Sequence, residues 1–374
     1  TVTKRGGLFF AIAAIAMSVI VLGNPITALR DALKTGFFPD IPAITSSADS
    51  LAATSLFMDE AQLMAHVNAI AKPRATPSQK NQTLAYITQQ LTSYGVSFSK
   101  QPYAHPETGS AATGGINLVA TLPGQDPNAG SFVLGAHYDT PPNSPGADDN
   151  ASAIAALLET ARLLSTITQP ATDSGTNSTT DRATAQTPAA LPFPHGLTLV
   201  FFDQEERQPD GSGLLGSLAF TAEPTNLSKV KGAIVLDMIG YACHTEGCQR
   251  YPQGLPLPAQ TLPKTGDFLA VLGLSDHTDL IGAFMGSAQS AGPLVMSLPV
   301  PKTAISLFPD LLRSDHAPFW EKDTPAVFVT DTANFRNENY HTELDTPETL
   351  DFAFLRGSAQ HVFNATVALL DQDP

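Results

Sequence analysis

The 374-residue sequence contains few cysteines, which excludes some kinds of site. Only Cys243 and Cys248 are present, so a cysteine-rich zinc site lacks ligands, and nearby His244 does not have the usual ligand spacing. If the protein is exported, a cysteine pair this close in sequence predicts a small disulfide loop, with two free thiols as the alternative.

Basic residues are also scarce. The chain has 20 Lys and Arg against 35 Asp and Glu, which gives a formal net charge of -15. Such a charge argues against nucleic acids and anionic membrane surfaces as partners. The length and a hydrophobic content of 43% allow one large domain with a deep core or two smaller domains, and no internal repeat divides the chain.

The apolar run near the N-terminus is short for a membrane span, which needs about 20 residues. It covers residues 8–22 and follows Lys4 and Arg5. We therefore expect a signal peptide or a membrane anchor within residues 1–25, with a buried helix of the folded domain as the alternative. A signal peptide or an anchor predicts an exported protein, either secreted or membrane-anchored and facing outside the cytoplasm.

Composition changes twice more along the chain. Residues 26–55 form a mixed Pro, Ser, Thr and Ala stretch, which predicts a linker before a folded domain over residues 56–374. Residues 169–194 are again rich in Thr, Ala, Pro and Ser, and they predict a flexible insertion within that domain.

The folded region shows alternating helical and strand patterns. Strands are predicted at residues 97–102, 116–122, 131–136, 197–202, 233–237 and 326–330. Helices are predicted from residue 58 onward and at residues 78–94, 151–164, 211–220, 266–287, 309–320 and 350–370. This alternation predicts an α/β protein, a three-layer sandwich whose central sheet is mixed and largely parallel.

Acidic residues and histidines follow several of the predicted strands. They are His137, Asp139, Glu205, Glu206 and Asp237. Ligands of open α/β sheets bind beyond the carboxyl ends of the strands, so we expect these side chains to meet there. Asp149, which lies where an apolar helix begins, and His341, in a late loop, are further candidates. Two histidines and three or four carboxylates in one place suit a pair of zinc ions.

Each motif has a structural alternative when it is taken alone. Asp148 and Asp149 could cap the helix that follows them, and the two adjacent glutamates could form a solvated acidic turn. His341 alone is more typical of a surface histidine. The joint occurrence of the motifs favours a metal site over several independent structural roles.

The residue types also suggest individual roles. Consecutive side chains point apart, so one glutamate of the Glu205-Glu206 pair can bind metal while the other faces the substrate water as a base. Asp139 can fix the tautomer of His137, and Tyr340 can offer its hydroxyl to an oxyanion. His316, at the start of a predicted helix, is expected to pack rather than to bind metal.

Six segments carry a resemblance to a known family. They are Gly135-Ala-His137-Tyr-Asp139-Thr, Gly146-Ala-Asp-Asp149-Asn-Ala-Ser, Glu205-Glu206 with Gly213-Leu-Leu-Gly-Ser217, Leu236-Asp237-Met, Ser314-Asp-His-Ala-Pro-Phe319 and Tyr340-His341-Thr. Together they resemble the co-catalytic zinc aminopeptidases of peptidase clan MH, relatives of glutamate carboxypeptidase and the glutaminyl cyclases. The resemblance spans residues 58–370. It implies the zinc-exopeptidase, phosphorylase/hydrolase-like fold, with residues 56–374 as the catalytic domain.

The resemblance implies a centre that holds two zinc ions per chain. Asp149 would bridge the two ions, with a cis peptide bond to Asn150. The remaining implied ligands are His137 and Asp237 at one ion, and Glu206 and His341 at the other. Glu205 would be the general base, Asp139 would orient His137, and Tyr340 would stabilise the oxyanion.

The implied reaction is hydrolysis of the N-terminal peptide bond of peptides with a free N-terminus, with a metal-bridging water as the nucleophile. We expect a monomer. One departure from the family pattern is the segment Arg-Gln-Pro-Asp-Gly-Ser between Glu206 and Gly213, which resembles the longer loop of the glutaminyl cyclases. The alternative is therefore a glutaminyl cyclase-like acyltransferase with a single zinc. A non-catalytic binding ectodomain is a third reading, which the filled ligand positions disfavour.

Overall fold

The structure, a computed structural model, describes residues 20–22, 56–106, 108–168, 190–252, 262–287 and 292–374. Nine strands within these ranges form a single sheet. They are β1 (Ile20–Leu22), β2 (Ser97–Tyr103), β3 (Gly115–Leu122), β4 (Ser131–His137), β5 (Gly196–Phe202), β6 (Val230–Leu236), β7 (Phe268–Leu274), β8 (Leu294–Val300) and β9 (Ala326–Thr330).

The helices of the described ranges lie mostly between these strands. They are α1 (Glu60–Ile70), α2 (Pro77–Ser93), α3 (Ala153–Ser165), α4 (Leu215–Ala222), α5 (Pro224–Leu227), α6 (Thr278–Ser287), α7 (Lys302–Ile305), α8 (Ala317–Glu321) and α9 (Phe352–Leu370). A turn over Ala147–Ser152, in which Asp149 and Asn150 have non-helical backbone angles, leads into α3. Short 3-10 turns lie at Ala111–Thr113, Pro309–Leu312, Ala333–Phe335 and Pro347–Thr349.

The strand order across the sheet is β1-β8-β7-β9-β6-β4-β5-β3-β2. The four central strands β9, β6, β4 and β5 run parallel to one another, and β7 and β8 form a second parallel pair. Antiparallel contacts join β7 to β9 and add β3 and β2 at one side and β1 at the other. The predicted mixed and largely parallel sheet is confirmed.

Helices cover both faces of the sheet. Side chains of a strand alternate between faces, and in β4 Phe132 and Leu134 join the large core under α1, α3 and α9. Val133, between them, joins a second core that includes Phe220 of α4 and Phe319 of α8. The two cores on opposite faces confirm the predicted three-layer sandwich.

The first two helices begin and end where the sequence favours it. The side chain of Asp59 caps α1 by accepting from the N–H of Ala61 at 2.8 Å. Thr76 and Gln79 form a capping box at the start of α2, and Gly95, with φ of 71°, follows its end. The predicted inward side chains of both helices are buried, namely Leu63, Val67, Ile70, Leu84, Ile87 and Leu91.

Two predicted segments differ from the structure. The prediction of one helix over residues 266–287 is wrong in its first half, where β7 precedes α6. An uninterrupted apolar run has no period that distinguishes a buried strand from a buried helix. Residues 309–320 form a 3-10 turn and the short helix α8 rather than one helix, because Pro318 lacks the N–H that a longer helix would need.

The sequence pattern does not predict β8, since it contains Pro299, a residue that argues against a strand. In the structure Pro299 lies beyond the three residues of β8 that pair with β1. Pro299 is therefore accommodated near an edge of the sheet.

The predicted disulfide between Cys243 and Cys248 is present, in the connection between β6 and β7. The predicted signal or anchor segment, residues 1–25, lies outside the described residues apart from the backbone of β1, as do the linker and most of the insertion. Among the helices of the described ranges, none combines the length and the apolar character that crossing a bilayer requires.

Candidate metal centre

The predicted site residues converge at the carboxyl ends of the central strands. β4 ends at His137, and Asp237 directly follows β6. The turn after β5 contributes the two glutamates, and the turn before α3 contributes Asp149. His341 comes from the long connection between β9 and α9. The structure therefore brings together all five predicted metal ligands and the predicted base.

One group of possible ligands surrounds Nε2 of His137. This nitrogen lies 3.2 Å from Oδ1 of Asp149 and 3.6 Å from Oδ1 of Asp237. One donor atom from each of the three residues lies within 4.8 Å of the others, a spacing that could hold a metal ion.

A second group shares Asp149 with the first. Nε2 of His341 lies 3.1 Å from Oδ2 of Asp149 and 3.2 Å from Oε2 of Glu206. The two oxygens of the Asp149 carboxylate thus face different histidines. This arrangement places Asp149 between two neighbouring sets of donors, the position that the sequence assigns to it.

Glu205 lies beside the first group. Its Oε2 is 4.0 Å from Nε2 of His137, and a further donor set can be drawn from His137, Glu205 and Glu206. Glu205 also lines the large cavity that opens onto the site. Its carboxylate therefore lies between the donor groups and the space available to a substrate.

Two buried atoms of this cluster support a bound cation. Nε2 of His137 and Oε1 of Glu206 are buried and form no hydrogen bond with the described residues. Unpartnered polar atoms are costly to bury, and four carboxylates in a nearly dry site repel one another. A divalent cation satisfies both requirements, and imidazole and carboxylate donors suit zinc. The residues present therefore fit a metal centre.

Asp139 organises three of these groups at once. One oxygen accepts a hydrogen bond from the N–H of Glu205 at 3.1 Å, and the other accepts from the N–H of Glu206 at 3.2 Å. The first oxygen also lies 3.5 Å from Nδ1 of His137. The sequence predicts the contact with His137, and the structure adds that Asp139 fixes the backbone of the two glutamates.

Asp345 has a similar function on the other side of the site, and the sequence does not predict it. Its carboxylate accepts from the N–H of Asp148 at 2.9 Å and from the N–H of Asp149 at 3.1 Å. The peptide bond between Asp149 and Asn150 is cis. The Asn150 amide bonds to the backbone on either side of Asp237, which ties the turn before α3 to the end of β6.

A fully buried arginine, Arg74, also binds the backbone of this turn. Arg74 donates to the carbonyl oxygens of Tyr138, Gly146 and Asp149 at 2.8, 2.9 and 3.3 Å. It also donates to three further carbonyl groups. No motif around Arg74 indicates this role, because its partners are backbone oxygens that any sequence supplies.

The pKa shifts follow from burial and from the crowding of like charges. Burial raises the pKa of Glu206 to about 8, with a contribution from Asp149, and raises the pKa of Glu205 well above its usual range. Burial also disfavours ionised Asp149, but the imidazoles of His137 and His341 outweigh it and lower the pKa. For His341, burial is outweighed by Asp149 and Glu206, which raise the pKa to about 10. A bound cation would favour the ionised carboxylates.

Tyr340 stands at the edge of the site. Its ring stacks on that of His341 with 3.7 Å between centroids, and its hydroxyl accepts from Arg313 at 3.1 Å. The neighbouring His316 is buried, stacks on Phe328 and donates from Nε2 to the carbonyl of Leu311. His316 therefore packs, as the sequence predicts, and Tyr340 faces the donor groups.

A cavity of about 170 Å³ opens beside the donor groups. On the same measure one water molecule needs roughly 10–15 Å³, so the cavity has room for a large side chain. Its wall is mostly apolar, and β7, β8 and β9 contribute part of it. Residues of these strands that line it include Phe268, Ala270, Leu272, Met296, Leu298 and Phe328.

Comparisons with solved structures agree with this fold. BSAP, a zinc aminopeptidase from Bacillus subtilis, is 14% identical with a TM-score of 0.57, and the match covers 84% of this chain and 96% of that one. The glutaminyl cyclase of Porphyromonas gingivalis is 19% identical with a TM-score of 0.52, over 83% and 98% of the two chains. At such identities the similarity shows the fold.

Comparisons of sequence identify the family. The uncharacterized protein YfbL of Escherichia coli K12 is 32% identical over 282 residues, which are 73% of this chain and 75% of that protein. Residues 117–366 match peptidase family M28, and this range contains every predicted ligand and the predicted base. The prediction of a hydrolase related to the zinc aminopeptidases is confirmed, and the chain belongs to peptidase family M28.

Proposed function

We propose that this protein is a zinc aminopeptidase that removes the N-terminal residue from peptides with a free N-terminus. The observation that carries the proposal is the position of Asp149 between two donor groups, with Glu205 at the mouth of an apolar cavity. Family membership and the similarity to BSAP, which is itself a zinc aminopeptidase, support it.

We propose two zinc ions per chain. His137, Asp149 and Asp237 would hold one ion, and Asp149, Glu206 and His341 would hold the other. Zinc bound by these ligands would supply Lewis acidity toward the scissile carbonyl and would lower the pKa of a water molecule. The carboxylates of the cluster offset the positive charge of the ions.

Glu205 is the proposed general base. It takes a proton from the attacking water and transfers that proton to the leaving amine, so one carboxylate serves both steps. Asp139 fixes the backbone of Glu205, whose carboxylate lines the cavity and lies 4.0 Å from Nε2 of His137. Tyr340 is proposed to donate a hydrogen bond to the developing oxyanion.

The cavity accounts for recognition of the substrate. Its apolar wall on β7, β8 and β9 would bind a large apolar N-terminal side chain. Asp149, Glu205 and Asp237 line the same cavity and would attract the substrate ammonium group. An acetylated N-terminus lacks that charge, so it should be a poor substrate.

A glutaminyl cyclase-like acyltransferase with one zinc is the second candidate. The longer loop between Glu206 and Gly213 and the similarity to the Porphyromonas gingivalis glutaminyl cyclase favour it. The donor set that contains His137 and Asp237 favours two ions and hence the peptidase. Release of ammonia from a Gln-initiated peptide, without cleavage, would establish the cyclase.

We also propose that the protein is exported. The disulfide between Cys243 and Cys248 supports this, because such bonds persist outside the reducing cytosol. Residues 8–22 would act as a signal peptide or as a membrane anchor, and Ile20–Leu22 would then not stay paired with β8. The protein is proposed to act as a monomer without a nucleic-acid partner. Cell fractionation and mass spectrometry of the mature N-terminus test these points.

The peptidase proposal is tested with leucine p-nitroanilide and its acetylated form. We expect zinc-dependent release of nitroaniline from the free amine, loss of that activity on chelation, and little reaction with the acetylated compound. Equal rates on both compounds, or no zinc-dependent hydrolysis of either, would refute the aminopeptidase assignment.

A further inference from the structure

Arg313 makes a direct contact with a residue of the proposed site. Its Nη2 donates to the hydroxyl oxygen of Tyr340 at 3.1 Å. Nη1 of the same guanidinium is held by Oδ1 of Asn334 at 2.9 Å and by Oδ1 of Asp310 at 3.3 Å. Asn334 and Asp310 therefore fix Nη1 of the guanidinium, while Nη2 binds the hydroxyl of Tyr340.

The direction of this hydrogen bond determines where the Tyr340 proton can go. A guanidinium only donates, so the phenolic oxygen is the acceptor in the contact with Arg313. The phenolic proton needs a different acceptor, and none lies within hydrogen-bond distance in the part of the chain that the structure describes. Tyr340 lines the same cavity as Glu205 and Asp149. Its proton is therefore available to an oxygen atom of a molecule bound in the cavity.

The ring of Tyr340 is fixed as well as its hydroxyl. It stacks on the His341 imidazole at an interplanar angle of 22°, and the Arg313 guanidinium carbon lies 5.8 Å from its centroid. A hydrogen bond from a cation to the phenolic oxygen also strengthens the O–H group as a donor. The position of the Tyr340 hydroxyl and its strength as a hydrogen-bond donor thus both depend on Arg313.

We propose that Arg313 is a positioning residue for the peptidase reaction, which holds the Tyr340 hydroxyl so that its proton is directed at the oxygen of the scissile carbonyl. The proposal rests on the proposed function. Arg313 also lines the cavity, but its proposed role is to orient Tyr340 and not to contact the reacting atoms. It acts through Tyr340, so its effect should disappear when the Tyr340 hydroxyl is absent.

The test is a double-mutant cycle with Arg313→Ala and Tyr340→Phe on leucine p-nitroanilide. We expect Arg313→Ala to lower kcat roughly 10- to 100-fold with little change in KM, because a misplaced catalytic group costs rate rather than binding. Adding Arg313→Ala to Tyr340→Phe should cause no further loss. Arg313→Lys keeps a donor and should recover part of kcat. Arg356→Ala, on the outer surface of α9, is the matched control.

A binding measurement gives a second readout. A boronic acid that adopts a tetrahedral form presents an oxygen to the Tyr340 hydroxyl. It should bind Arg313→Ala more weakly than wild type, by a factor similar to the loss in kcat. Isoamylamine has no oxygen and should bind both proteins equally. Calorimetry with each compound separates the two effects, and zinc content checks the metal centre.

The outcomes distinguish this proposal from the proposed function. An inactive wild-type protein overturns the aminopeptidase assignment. If the wild type is active and Arg313→Ala keeps the wild-type kcat, the proposed role of Arg313 is overturned. The role is also overturned if Arg313→Ala lowers kcat as much in the Tyr340→Phe background as in the wild-type background. The same holds if Arg313→Ala loses affinity for the boronic acid and for isoamylamine to the same extent.

Discussion

The carboxylate of Asp139 accepts a hydrogen bond from the backbone N–H of Glu205 at 3.1 Å. Its second oxygen accepts from the N–H of Glu206, so both glutamates depend on one buried side chain. Asp139 is buried and also lies beside His137. One residue therefore sets the geometry of a proposed base and of two proposed metal ligands.

Asp139→Asn should weaken both zinc binding and turnover. The amide of Asn presents an NH₂ group to one of the two backbone N–H groups, so one hydrogen bond is lost. We expect losses of roughly 10- to 100-fold in zinc affinity and in kcat, the usual effect of changing a partner of metal ligands. Competition with a chelator measures the affinity. The exposed Asp267→Asn is the control, and wild-type zinc affinity in Asp139→Asn would contradict the assigned role.

Glu205→Gln should separate catalysis from metal binding. Gln has the shape of Glu but cannot take a proton, so we expect kcat to fall by roughly 10²- to 10⁴-fold. Zinc content, measured by atomic absorption, should stay at the wild-type value. Glu321→Gln at the surface end of α8 should change neither quantity. Loss of zinc in Glu205→Gln would instead make Glu205 a ligand.

Arg74→Met should destabilise the domain. The substitution leaves the buried carbonyl oxygens of Gly146 and Asp149 without their donor. Each unsatisfied group costs roughly 1–3 kcal/mol, so we expect a loss of roughly 2–6 kcal/mol in the free energy of unfolding. Urea denaturation measures this loss. Arg207→Met, at an exposed position, should change stability little. Equal stabilities of the two variants would show that Arg74 is dispensable.

His66 should make stability depend on pH. Burial, with a contribution from Arg162, lowers the pKa of His66 from 6.5 to about 4. The folded state thus holds the proton less tightly than the unfolded state. The stability contributed by neutral His66 is fully present above pH 6.5 and is lost as the pH falls toward 4. In urea titrations with chelator present, His66→Phe should lose less stability than wild type between pH 7 and pH 4.5. Identical losses would contradict this account.

Ala270→Leu should change the substrate preference. Ala270 lines the apolar cavity, and a larger side chain there removes space from the substrate. We expect kcat/KM for a leucine substrate to fall roughly 10- to 200-fold, with a smaller effect on an alanine substrate, which is the internal control. Parallel losses on both substrates would show that the cavity does not bind the N-terminal side chain.

The site was more predictable than strands β7 and β8. His137, Asp237 and the two glutamates follow central strands, so their convergence follows from the carboxyl-end rule for parallel strands. β7 was mistaken for a helix because a strand buried on both faces has no alternating pattern. The sequence pattern did not predict β8, whose Pro299 lies beyond the three residues that pair with β1.

The supporting residues could not be predicted for a different reason. Arg74 and Asp345 act on backbone groups, and no spacing in the sequence reveals which backbone groups will be near them. Arg313 acts on Tyr340 from 27 positions away in the sequence, and only the fold brings the two side chains together. Chemistry that resides in side-chain motifs can be predicted from sequence, whereas the contacts that orient it depend on the tertiary structure.

The central claim is that Asp149 lies between two zinc ions while Glu205 remains free to act as the base. Anomalous diffraction at the zinc edge, from crystals of the zinc-loaded protein, tests it most directly. We predict two peaks that flank Asp149, one beside His137 and Asp237 and the other beside Glu206 and His341. A single peak, or a zinc ion ligated by Glu205, would contradict the account.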